Sequence, residues 1–158
     1  MKMDLLKANF KEIRENILNK KISAVEVTQF YLNRIEKYNS KVNAFVHLNE
    51  SAIQEAKDLD KLIAQKKDLG ALAGIPWGIK EMFCTKDIKT TAASKILSNF
   101  IPPYDATVVA RLKKNGAIVL GKLNQDEFAM GSSNETSCFG PSKNPWNLNK
   151  SINFCFIH

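Results

Sequence analysis

Lys80 closes the run Gly74-Ile75-Pro76-Trp77-Gly78-Ile79-Lys80. An ammonium at the end of a short apolar, strand-like run needs a partner or a job, because burying an unpaired charge is costly. A lysine works as a base only when neutral, which near neutral pH requires a substantially lowered pKa. Burial beside Ile75, Pro76, Trp77 and Ile79 is one way to lower it. The plain alternative is an exposed strand-end lysine, or one paired with Glu81 or Asp87. Residue types alone leave both readings open.

A second candidate is the stretch Phe128-Ala129-Met130-Gly131-Ser132-Ser133-Asn134-Glu135-Thr136-Ser137. Hydroxyls clustered beside a glycine can present backbone groups to a ligand, although a polar turn has the same composition. None of these serines has a histidine nearby. His47 is expected in a helical layer and His158 is terminal, so a Ser-His-Asp triad has little support. Asp126 and Glu127 are adjacent and point different ways on most backbones, which makes a paired acid and base a weak reading. Lys122 follows a predicted strand and is expected to be solvated. No GxxxxGK[ST] loop is present, so the sequence shows no nucleotide site of that kind.

These residues must be positioned by the elements around them. Leu6, Phe10, Ile13 and Ile17 are spaced for a helix over residues 5–19. Ser23 and Glu26 fit a capping box for a second helix, with Val27, Tyr31, Ile35 and Tyr38 inward and an end near Asn39 and Ser40. Residues 43–48 read as a short strand. A third helix over 50–66 turns Ala52, Ala56, Leu59 and Ile63 inward. From Gly70 the pattern changes: a strand over 75–79, and a helix over 106–115 capped by Asp105, with Val108, Val109 and Leu112 inward. Gly116 supplies the stop, and a strand follows over 117–120. Strand, helix, strand is a βαβ unit and implies parallel pairing. Residues 123–148 are rich in Gly, Pro, Ser and Asn and read as mostly loop, a common place for sites. The expected class is α/β: an N-terminal helical layer followed by part of a mixed or parallel sheet flanked by helices.

The 158 residues, 44% hydrophobic and 25% charged, suit one compact domain and argue against disorder. The net charge of +7 could favour RNA or an acidic surface. No basic stretch has interleaved aromatics, so a solvated lysine-rich surface is the simpler account. The densest runs, Lys20-Lys21 and Lys66-Lys67, sit at predicted helix ends, where the dipole favours cations. Cys84, Cys138 and Cys155 are odd in number and irregularly spaced, which excludes a disulfide framework and points to a reducing cytosol. The N-terminus lacks the apolar core of a signal peptide. No run approaches the roughly 20 apolar residues of a membrane helix.

Several stretches, in order, resemble the amidase signature family. Leu72-Ala73-Gly74-Ile75-Pro76-Trp77-Gly78-Ile79-Lys80 is similar to its catalytic-lysine strand. Thr90-Thr91-Ala92-Ala93-Ser94-Lys95-Ile96-Leu97 and Pro102-Pro103-Tyr104-Asp105-Ala106-Thr107-Val108-Val109 resemble its next segment. The run from Gly121-Lys122-Leu123-Asn124 through Asn144-Pro145-Trp146-Asn147 resembles the A subunits of amidotransferases acting on glutamyl-tRNA(Gln) or aspartyl-tRNA(Asn). The resemblance implies a lysine, here Lys80, that acts as base on a serine held by a cis peptide. That serine relays the proton of a second, nucleophilic serine, which attacks the amide of glutamine and releases ammonia. Met130, Gly131, Ser132 and Ser133 match the segment lining the glutamine pocket. Implied partners are subunits B and C, with tRNA reached through the complex. No cofactor is expected on this chain; ATP and Mg would be used by the partner subunit. The implied location is cytoplasmic, a bacterial cytosol or an organelle matrix.

Two departures stand out. Glu81 and Met82 follow the lysine where the family usually has Asp and a polar residue. After Lys150 the family continues with a glycine- and serine-rich run that holds the cis serine. This sequence instead reads Ser151-Ile152-Asn153-Phe154-Cys155-Phe156-Ile157-His158. The expectation is therefore an incomplete N-terminal part of one amidase signature domain over residues 1–150, and an aberrant tail over 151–158 of the kind a frameshift produces. Such a chain would hold the lysine without its serines, be inactive alone, and expose apolar surface to a hydrophobic dye.

Overall fold

A computed structural model describes residues 3–67 and 69–151. The expectation for the tail lies, beyond Ser151, outside the described residues. Helix α1 (Phe10–Leu18) starts at Asn9, whose side chain accepts from the Glu12 N–H while Glu12 reaches back to Asn9, a reciprocal cap. The helix is shorter than the periodicity predicts. Ile13 and Ile17 are buried, but Leu6 and Phe10 lie outside the packed face and are exposed. Helix α2 (Ala24–Val42) has the predicted Ser23–Glu26 box and runs to Asn43, whose left-handed backbone ends it. Tyr38, expected inward, is exposed: Arg34 and Lys37 of the same helix lie over its ring. Helix α3 (Ala52–Ala64) buries all four predicted residues. The Asp60 carboxylate on α3 accepts from the Ala24 and Val25 amides at 2.8 and 3.2 Å, which locks α3 to the start of α2.

Strand β1 (Phe45–Leu48) pairs antiparallel with β3 (Ile118–Leu123), and β2 (Pro76–Lys80) pairs parallel with the other side of β3, giving the order β1-β3-β2. The sheet is therefore mixed, and its parallel half is joined through α4 (Thr107–Lys114), as the βαβ reading predicts. Ala106 rather than Asp105 stands at the start of α4. The Asp105 carboxylate instead accepts from the Lys86 amide and pairs with Lys113, so it ties the incoming loop to the helix. Val109 is buried, whereas Val108 is exposed. Gly116 has φ +82°, and a Cβ there would meet the Leu69 carbonyl at 2.6 Å, so the turn into β3 needs glycine.

One apolar cluster joins the helical layer to the sheet through Ile17, Val27, Leu59, Ile75 and Ile118. A smaller one, Ile79, Ile88, Val109 and Val119, covers the other face. Residues 123–148 are mostly loop, with a short 3-10 turn at Glu127–Ala129 and the hairpin β4 (Lys143–Asn144) and β5 (Asn147–Ser151).

Candidate active site

Parallel pairing places Ile79 opposite Lys122 and Lys80 opposite Leu123, so β2 and β3 finish together. The Glu81 amide donates to the Leu123 carbonyl at 3.0 Å, and the Phe83 amide turns back to the Lys80 carbonyl at 3.0 Å. Lys80 is half-buried. Among the described residues its ammonium makes no hydrogen bond or ion pair, so neither Glu81 nor Asp87 is its partner.

The buried cation is Lys122, which the sequence reading places in solvent. It lies within β3, which runs on to Leu123 past its predicted end, and is fully buried. Its ammonium donates to the Phe83 carbonyl and, at 2.9 Å, to the Thr85 hydroxyl, which fixes the turn leaving Lys80. Burial pushes its pKa down to about 8, against the opposing pull of Glu81, Cys84 and Asp105. A lysine inside Ile118-Val119-Leu120-Gly121-Lys122-Leu123 was the signal available in the sequence.

Glu81 is also fully buried. Its Oε1 accepts from the Thr91 amide at 2.7 Å and the Thr91 hydroxyl at 2.8 Å. His47 Nε2 lies 3.7 Å from the same oxygen. His47 belongs to β1, within the strand expected over 43–48, and pairs into the sheet with β3 instead of lying in the helical layer. Burial raises the Glu81 pKa, while the Thr91 bonds and Lys122 oppose the rise. Burial, then Lys89 and Lys122, lower that of His47.

The second candidate segment is built around Asp126. Its carboxylate accepts from the Asn134 amide at 2.8 Å and from the Thr136 hydroxyl at 2.9 Å. Burial works against that carboxylate, but these bonds outweigh it and hold its pKa low. Gly131 packs on the same carboxylate: a Cβ there would sit 2.4 Å from Asp126 Cγ. Glu127 accepts from Ser94 Oγ at 2.6 Å. Asp126 and Glu127 thus hold the loop and do not face each other as acid and base. Within the loop Met130 is 80% exposed, Gly131 and Ser132 are exposed and Ser133 is half-buried. Among the described residues no hydrogen bond or ion pair joins Lys80 directly to these four, and none gives Ser132 or Ser133 a basic partner.

A feature invisible in the residue types connects the two regions. Ala92 and Ala93 have φ of 50° and 54°, and Phe128 and Ala129 have 52° and 59°. Left-handed backbone at four residues with side chains is strained, and such strain concentrates at functional sites. The two turns are joined: the Phe128 amide donates to the Ala92 carbonyl at 2.8 Å and the Cys138 amide to Ala93 at 3.0 Å. Cys84 and Cys138 are free thiols. Among the described residues no group of His, Cys, Asp and Glu could hold a metal ion.

Residues 26–152 match the family described as Amidase. The chain belongs to the amidase family. It is 63% identical over 148 residues to the A subunit of the glutamyl-tRNA(Gln) amidotransferase of Bdellovibrio bacteriovorus, covering 94% of this chain and 30% of that protein. The Geotalea daltonii protein of the same description is 52% identical over 147 residues, 92% and 30% of the two chains. Among solved structures, the A subunit of the Thermotoga maritima glutamyl-tRNA(Gln) amidotransferase superposes with a TM-score of 0.72 at 35% identity, over 94% of this chain and 29% of that one. Peptide amidase of Stenotrophomonas maltophilia gives 0.84 at 29%, over 90% and 31%. The chain thus spans about 30% of the length of the curated relatives it matches. The mixed sheet, its helical layer and the strand ending at Lys80 are accordingly amidase elements. No helix among the described residues is long and apolar enough to cross a membrane.

Proposed function

We propose that this chain supplies the lysine-bearing part of a glutamine amidase that provides ammonia for converting glutamyl-tRNA(Gln) or aspartyl-tRNA(Asn) to the amidated tRNA. The observation that carries this reading is the 63% identity to the A subunit of such an amidotransferase, over a stretch in which β2 ends on Lys80. Lys80 is the proton acceptor of a Lys–cis-Ser–Ser relay, and Met130, Gly131, Ser132 and Ser133 line the glutamine pocket. The half-buried ammonium of Lys80, without a partner among the described residues, suits that role, since a group already tied up in an ion pair is a poor base. These 158 residues contain the lysine and span about 30% of the matched relative, so on this reading the serines of the relay belong to the part of such an enzyme outside this stretch. Subunits B and C are its partners, ATP, Mg and tRNA are handled in the complex, and the setting is cytoplasmic.

A chimera tests this. Residues 1–150 of this chain replace the matching part of the Bdellovibrio bacteriovorus relative, assembled with subunits B and C. Ammonia release from glutamine that Lys80→Met abolishes is the expected result; a chimera equally active with methionine at 80 would remove Lys80 from the mechanism. The likeness to peptide amidase supports a second reading, a hydrolase of other acylamides. Turnover of a peptide amide without turnover of glutamine would favour it. Failure of the intact chain to retain subunits B and C in a pull-down would exclude a third role, as a non-catalytic binding module.

A further inference from the structure

Glu81 faces away from solvent and toward the strained turn, directly after the residue assigned as base. Its bonds form a continuous route. The backbone leaves Lys80 into Glu81, the carboxylate holds the amide and hydroxyl of Thr91, and the next two residues are the left-handed Ala92 and Ala93. Their carbonyls receive the amides of Phe128 and Cys138, one on each side of residues 130–133. Ser94 closes the route by donating to Glu127. Two consecutive left-handed alanines persist only where surroundings over-determine them. A buried carboxylate with two short bonds to the preceding residue is such a surrounding, since charge-assisted bonds are among the stronger ones.

We infer that Glu81 is a positioning residue that fixes the Ala92–Ala93 turn and, through it, the loop carrying residues 130–133 relative to Lys80. This rests on the proposed reading of Lys80 and that loop as parts of one glutamine site. The carboxylate touches no reacting atom. It sets the spacing between the base and the pocket wall, so a shortened or apolar side chain at 81 would leave each part intact and their separation undefined.

The test is site-resolved amide hydrogen exchange on the full 158-residue chain with Glu81→Leu and Glu81→Gln. Leucine has no acceptor; glutamine keeps one carbonyl oxygen for Thr91. In Glu81→Leu the amides of Thr91, Phe128 and Cys138 are expected to exchange about tenfold faster or more, as for loss of a charged bond, while those of Val27 and Ile63 hold. Glu81→Gln restores most of the protection. Equal acceleration across α2, α3 and the loop would overturn the inference, as would faster exchange at Thr91 with Phe128 and Cys138 unchanged. If Glu81→Leu does not fold, Thr91→Val, which deletes one of the two bonds, is read by the same two criteria. The chimera assay decides the glutamine reading separately: it can fail with the exchange pattern intact, and the pattern can fail with Lys80 still essential.

Discussion

Two lysines one residue apart in strand register have opposite surroundings. Lys122 is enclosed and bonded to Phe83 and Thr85, whereas Lys80 is half-buried and has no partner among the described residues. Substituting each should separate architecture from chemistry. Lys80→Met is expected to leave the unfolding free energy from urea titration nearly unchanged, within about 0.5 kcal/mol, because no described bond is lost. Lys122 contributes a pH dependence of definite sign. Its folded pKa of about 8 lies below its ordinary value of 10.5, so between those pH values the unfolded chain binds the proton and the native chain does not. Stability therefore rises with pH across that window, by about 3 kcal/mol from this group. Below pH 8 both states are protonated and the burial cost is present in full. Lys122→Met should remove the rise, read as the difference between the two stability–pH curves; parallel curves would refute it.

At the scale of elements, the start of α2 is secured twice. Ser23 and Glu26 satisfy donors from within the helix, and Asp60 accepts from the next two amides across the gap to α3. Ser23→Ala should cost about 1 kcal/mol, the usual value of a cap. Asp60→Ala should cost more, about 1–3 kcal/mol, because it strands two donors that are partly shielded from water and also loosens the α2–α3 contact. Chemical unfolding followed by far-UV circular dichroism measures both. Gly131→Ala belongs to the same scale with a different outcome. The added methyl displaces the Asp126 carboxylate from Asn134 and Thr136, so the loop amides lose exchange protection while the helical layer keeps its own.

For the molecule as a whole, the sheet divides the apolar core unequally. The helical side carries the larger cluster and the α4 side only Ile79, Ile88, Val109 and Val119. Ile17→Ala, in the larger cluster and sealed from solvent, is expected to cost about 2–5 kcal/mol and to lower the unfolding midpoint of the entire chain. Less apolar burial on the α4 side predicts that its amides open before those of α2 and α3. Hydrogen exchange ordering the two faces the other way would contradict this. Trp146, 91% exposed, and Met130 add apolar surface on the loop side.

Local pattern determined much of this protein. The Ser23–Glu26 cap, the inward face of α3, the strand–helix–strand order of β2, α4 and β3 and the strand ending at Lys80 each rest on patterns within a few residues, which a sequence displays directly. The order of family stretches from Leu72 to Asn147 likewise pointed to the amidase fold before any coordinate. What only the tertiary structure decided were facts of environment between distant residues. Phe10 and Val108 have helical spacing yet face out, because which part of a periodic stripe is covered depends on what packs there. His47 comes within 3.7 Å of Glu81, Lys122 is buried, and Asp105 holds a loop where its type suggests a cap. Glu81 looks like a charged residue following a charged residue. Its reach to Thr91, and through Ala92 and Ala93 to the loop at 130–133, exists only because chain segments ten to fifty residues apart are brought within hydrogen-bond distance, and their burial strengthens each bond that results.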